Sequence, residues 1–211
     1  MVEVKCESGL RARKKAATRG ALSDAAARLA RDHGLEAVTV EAIAEAAGVS
    51  TRTFHNYFSS KEEAMVAYGE RIAQQWADAL LARPADEQIW DSLEAVLRAS
   101  FQGADDVIAG SRATVEAINA NPLLLARKVD LEAWAQDLLC RAIAERTGTN
   151  ADTDLYPRLV NLTACSAGRA AAELWASGNA GDRSLDTLIR DGLAQVRAGL
   201  PDPSATTGQD S

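Results

Sequence analysis

Several things are scarce in this chain, and each scarcity excludes something. Its 211 residues include only three cysteines, Cys6, Cys140 and Cys165, set far apart. An odd number at such spacing does not make a disulfide framework and fits a reducing, cytoplasmic setting. There are two histidines, His33 and His55, and no Cys or His pair has metal-ligand spacing, so neither a metal nor a cofactor is expected. No apolar run approaches the ~18 residues of a membrane span. The N-terminus lacks the apolar stretch of a secretory signal, so export is not expected. There is no G-x-S-x-G, no phosphate loop, no H-E-x-x-H and no nucleophile beside an evident base, so an enzyme is not expected. Runs of alternating β-branched residues are missing too, and with them the signal for strands.

What the chain has is alanine in abundance and helical periodicity. Apolar residues make up 47% and charged residues 25%, ordinary values for a globular protein with a real core. The net charge is −7, but it is unevenly spread. Residues 1–61 hold ten Lys/Arg against seven Asp/Glu, and the remainder holds thirteen against twenty-three. Within the first part, "RARKKAATR" carries Arg11, Arg13, Lys14, Lys15 and Arg19 with no acid. A basic end on an acidic body suits a protein that meets a polyanion at one end, although charge alone reads more readily as a solvated face or tail.

The periodicity predicts an all-α chain of about nine helices. Residues 1–10 lack a period and are expected to be flexible. A helix is expected from Lys14 to His33, closed by Gly34. Thr39 caps a short helix from Val40 to Ala47, and Gly48 ends it. Ser50 caps another over 51–57, and Ser60 precedes a long one whose apolar stripe runs to Pro84. Further helices are expected from Asp86 to Phe101, over 106–119, from Pro122 to Thr147, over 155–178 and over 185–200. The polar end, 201–211, is expected to be disordered. The domains expected are 11–62, with three helices and the start of a fourth, and 63–200, wholly helical.

The stretch "AGVSTRTFHNYFSSKEE" (47–63) concentrates the chemistry. Two short helices joined at a glycine have the dimensions of a helix-turn-helix. The second helix would enter the major groove N-terminus first. That presents Ser50, Thr51, Arg52 and Thr53 to base edges, with arginine suited to a bidentate bond to guanine. His55, Tyr57 and Lys61 would lie where phosphates run. Taken singly, Phe54, Tyr57 and Phe58 read more readily as core and His55 as a solvated residue; the basic arm, the capped short helix and the glycine turn together tip the reading toward DNA.

The stretch from Ala21 to Tyr68, with G-x-x-x-x-T-V-x-x-I-A-x-x-A-G-V-S followed by F-x-x-Y-F-x-x-K-E, resembles the DNA-binding domain of the TetR/AcrR family of bacterial transcriptional regulators. The resemblance implies a homodimeric repressor that binds a palindromic operator and is released by a small apolar or amphipathic ligand. It also implies phosphate contacts by Thr39, Tyr57 and Lys61 and a base-facing segment at 50–53. His55 and Asn56 depart from the usual aromatic or arginine there. The arm "GLRARKKAATR" and the stretch "INANPLLLARKVDLEAWAQDLLCRAIAERTG" are similar to a subgroup that includes the mycofactocin-cluster type of regulator, which implies an acyl-CoA-type effector. A basic arm of this kind is also suited to the minor groove beside each half-site.

In the second half, Trp76, Trp90, Phe101, Ile118, Leu124, Trp134, Leu138 and Cys165 are candidates for a ligand pocket, although each taken alone reads more readily as ordinary core. Arg112, Arg127 and Lys128 are candidates to meet an anionic ligand. Ala164, Ala167, Gly168 and Ala171, with Leu174 and Trp175 as anchors, suit a close helix–helix seam between subunits. The rival reading is a helical partner-binding protein with no sequence-specific DNA affinity, which would show neither salt-dependent binding nor a palindromic preference.

Overall fold

The computed structural model describes residues 3–101 and 122–202, with side chains over 11–100 and 125–202. Among these it has eight α-helices, one 3-10 turn and no strand. In chain order they are α1 (Glu3–His33), the 3-10 turn Leu35–Ala37, α2 (Val40–Ala46), α3 (Thr51–His55) and α4 (Lys61–Leu81). They continue with α5 (Ile89–Phe101), α6 (Pro122–Thr147), α7 (Leu155–Ala176) and α8 (Leu185–Arg197). The helix expected over 106–119, Arg112 and the pocket candidate Ile118 lie outside the described residues, as does the tail from 203. The side chains of Phe101 and Leu124 are likewise not described.

The first helix begins at Glu3, not Lys14, so residues expected to be flexible enter it. Its period is unreadable there because residues 11–17 are all exposed and Leu22 is the first large side chain to be fully buried. Helix propensity carries what packing does not: Ala, Lys, Arg and Glu dominate the stretch.

The chain forms two compact units. The first comprises residues 1–72 and 110–132, the second 73–109 and 133–211. The division falls inside α4, between Ile72 and Ala73, where the sequence reading places it at 62/63. In the first unit, Leu22, Ile43, Phe54 and Phe58 are almost wholly buried and form one core with Leu35 and Val38. The start of α6 belongs to this unit as well. Gly69 is what lets Leu131 lie against α4, since a Cβ there would run into the leucine side chain.

In the second unit, α8 packs on α7 and α5 around Leu97, Ile143, Ile189 and Leu193. The small residues of α7 set the approach. A Cβ on Gly168 would touch Leu97 at 3.6 Å, and one on Gly192 would lie 3.6 Å from the Ala167 carbonyl. Arg98 forks onto Asp186 at 2.5 and 2.9 Å, tying α5 to the first turn of α8. Arg146 closes the turn between α4 and α5. Its guanidinium donates to the carbonyls of Arg83 (2.7 Å), Pro84 (2.9 Å) and Glu87 (3.1 Å) and to the Ser92 hydroxyl (3.0 Å).

Candidate nucleic-acid interface

The turn between α2 and α3 follows from one residue. Gly48 has φ +68°, a left-handed conformation that costs an L side chain strain and glycine nothing. The Val49 N–H donates to the Ala44 carbonyl at 2.9 Å and the Gly48 N–H to Glu45 at 3.0 Å, the paired bonds of a Schellman stop. Each short helix is then opened by a hydroxyl. Thr39 Oγ1 accepts from the Ala42 N–H at 3.1 Å, and Ser50 Oγ accepts from the Thr53 N–H at 3.1 Å. Caps of this kind stabilise a helix by ~1 kcal/mol, a large share for helices of seven and five residues.

Phe54 and Phe58 anchor α3 from beneath, with ring centroids 5.7 Å apart. The Arg19 guanidinium lies 4.9 Å from the centroid of the Phe58 ring. His55 stands edge-on to Phe54 and is exposed. Tyr57 is half-buried against the same core. With its underside fixed, α3 leaves Thr51 and Arg52 exposed to solvent. Ser50 and Thr53 differ: their hydroxyls lie 2.9 Å apart and bond each other.

Lys61, expected at a phosphate, is engaged elsewhere. Its ammonium donates to the carbonyls of Val38 (2.9 Å), Leu35 (3.0 Å) and Glu36 (3.5 Å). Those oxygens end the 3-10 turn just before the Thr39 cap. A cation at a helix N-terminus opposes the helix dipole, and three carbonyls offset that. The turn into α4 is also fixed by Glu63, which accepts the Ser59 N–H and hydroxyl, both at 2.7 Å. Those bonds hold its carboxyl below the ordinary range.

The basic stretch is solvent-facing throughout: Arg11, Arg13, Lys14, Lys15 and Arg19 are all exposed on α1. The first unit thus carries a capped pair of short helices on a rigid core beside a helical row of cations.

Known proteins with this pattern are consistent. Residues 22–67 match the family described as bacterial regulatory proteins, tetR family, and residues 87–201 match the MftR C-terminal domain. The chain is 33% identical over 175 residues to the HTH-type transcriptional regulator TcmR of Streptomyces glaucescens, covering 79% of this chain and 76% of TcmR. The chain belongs to the TetR family of transcriptional regulators. It is also 29% identical over 167 residues to the mycofactocin biosynthesis transcriptional regulator MftR of Mycobacterium tuberculosis, covering 77% of this chain and 82% of MftR. Among solved structures it is similar in fold to FadR of Bacillus subtilis in complex with stearoyl-CoA. The TM-score is 0.61 at 17% identity, over 84% of this chain and 97% of FadR.

In this TetR-family chain the second unit holds a small cavity of about 20 Å³. Trp76, Leu93, Leu97, Leu139, Asn161 and Cys165 are among its walls. Two of the pocket residues expected from sequence, Trp76 and Cys165, meet there. Leu138 and Trp90 pack against the surrounding core, while Trp134 is 43% exposed and turns away. Burial pushes the Cys165 thiol up. Asn161, which sequence reasoning passed over, is 3% exposed. A lone Asn in an Ala-rich helix gives no periodic signal.

Of the residues expected at a seam between subunits, Ala164, Ala167, Gly168 and Ala171 are buried within the chain itself, because they seat α7 against its own neighbours. Trp175 packs against the same core, half-buried, and Leu174 is 37% exposed. Besides Leu174 and Tyr156, α7 leaves uncovered three leucines, Leu155 (67% exposed), Leu159 (49%) and Leu162 (41%). Their spacing of four and three puts them on one helical face. Among the described residues no cluster has the makings of a metal site, and no helix is long and apolar enough to cross a membrane.

Proposed function

We propose that this chain is a ligand-released repressor that binds a palindromic operator as a homodimer. The observation that carries the reading is α3: capped, pinned by two buried phenylalanines, and offering Thr51 and Arg52 unencumbered to a major groove. Arg52 reads guanine and Thr51 a base edge or methyl. Ser50 and Thr53 hold the helix start and touch DNA as a bonded pair. Thr39, His55 and Tyr57 face phosphates, while Lys61 positions the turn beneath them. The cations from Arg11 to Arg19 add phosphate contacts. Being helical, this stretch is too wide at ~10–12 Å for a minor groove of ~6 Å.

The uncovered face of α7 at Leu155, Leu159 and Leu162 is the dimer surface. Two-fold pairing there supplies the symmetry that a palindrome requires. The effector is a small apolar or amphipathic molecule held in the second unit, an acyl chain being the class suggested by the stearoyl-CoA complex of FadR. It releases DNA to the extent that it binds one dimer state better than the other, and α4, shared by both units, carries the change.

The test is a titration of labelled duplex DNA at rising salt, repeated with long-chain acyl-CoA. Affinity whose logarithm falls linearly with the logarithm of salt, and release by the acyl chain, support the reading. An absence of DNA affinity returns the chain to a helical partner-binding role.

A further inference from the structure

The cavity in the second unit is almost wholly apolar at its surface, with one buried amide in its wall. Among the described residues its walls are apolar apart from Asn161, Cys165 and the indole N–H of Trp76. The Asn161 amide is oriented by chemistry. Its Nδ2 lies 3.2 Å from the backbone carbonyl of Gln136, which can only accept, so the nitrogen must face that way. The Oδ1 therefore faces Cys165, whose sulfur is 3.5 Å away. A thiol is a weak donor, and burial keeps this one protonated. The carbonyl oxygen of a nearly wholly buried amide is thus left with a poor partner, a costly state for an acceptor.

Among the described residues no cationic side chain is part of the cavity wall, and Arg169 is the cation whose charge reaches the Cys165 thiol. A carboxylate or phosphate entering it would be a buried, unpaired charge, facing an acceptor. An incoming hydroxyl would give Asn161 Oδ1 a stronger donor than the thiol.

We infer that the part of the effector entering this cavity is uncharged and apolar and carries one hydroxyl, which donates to Asn161 Oδ1 in place of the Cys165 thiol. The inference rests on the reading of this cavity as the effector site. The charged head of an acyl-CoA stays outside it. The free space, about 20 Å³, holds little more than a water molecule. Entry of anything larger must part the helices around it, which is what a ligand that favours a second conformation does.

The experiment is calorimetric titration of the full chain with 4-butylphenol, its methyl ether 4-butylanisole and 4-butylbenzoate. The phenol is expected to bind about five- to tenfold more tightly than the ether, the worth of one hydrogen bond, and the benzoate not at all. Asn161→Leu keeps the bulk and removes the acceptor, and is expected to bring phenol and ether to equal affinity. Because Asn161→Leu also loses the bond to Gln136, Cys165→Ala is measured beside it. That variant removes the competing donor and is expected to widen the preference for phenol. Equal binding of phenol and ether by the unaltered chain would overturn the hydroxyl assignment and leave the cavity as an apolar effector site. Binding of none of the three would overturn both.

Discussion

The ammonium of Lys61 bonds the carbonyl oxygens of Val38 at 2.9 Å and Leu35 at 3.0 Å, joining the first residue of α4 to the turn that precedes α2. The bonds make Lys61 a clamp on the DNA-binding unit. Lys61→Met is expected to lower the unfolding free energy by ~1–3 kcal/mol, for charge-assisted bonds lost at a half-buried site. The slope of log affinity against log salt is expected to stay nearly unchanged. A slope shallower by about one charge, with stability intact, would mean that Lys61 meets a phosphate after all.

Gly48 is open to space, with nothing within 4 Å of a Cβ built upon it, but its φ is +68°. Gly48→Ala therefore costs backbone conformation alone, about 1–2 kcal/mol. Urea unfolding measures it. A neutral result would mean that the turn can relax without loss.

Arg52→Ala is expected to relax base preference at one position of each half-site, costing ~1–3 kcal/mol there. Binding to a panel of single-base operator variants resolves this. Equal weakening across the whole panel would assign Arg52 to the phosphates.

Glu87 accepts from Arg83 and from the Ser92 hydroxyl. These bonds, Arg83 first, hold its carboxyl at about 2, down from an ordinary 4.5. A carboxyl depressed by folding stabilises the fold above its unfolded value. That contribution is complete above pH 4.5 and drains away as pH falls toward 2. The stability difference between the unaltered chain and Glu87→Gln, followed by urea midpoint, is expected to shrink over that window. A difference independent of pH would detach Glu87 from acid sensitivity.

Leu159→Glu places a charge in the middle of the uncovered face of α7. Light scattering is expected to show a dimer for the unaltered chain and a monomer for the variant. A variant that stays dimeric would move the interface elsewhere.

The local features of this fold were legible in sequence because their partners are three residues away. Thr39 and Ser50 bond N–H groups at i+3, and Gly48 stands where a left-handed residue must. What could not be read lies far along the chain. Lys61 meets Val38 across 23 residues, Arg146 meets Arg83 across 63, and Arg98 meets Asp186 across 88. No spacing rule selects such partners. The small residues of α7 illustrate a second limit. Their pattern announces a close helix approach but does not say whether the neighbour belongs to the same chain. Here Leu97 and Gly192 of the same chain fill that place.

The most direct measurement of the central claim is selection of duplexes from a random DNA library by the purified protein at near-physiological salt. The account predicts a two-fold symmetric motif with half-sites about one helical turn apart, ~34–36 Å centre to centre. Recovery of sequences with no shared motif would contradict it.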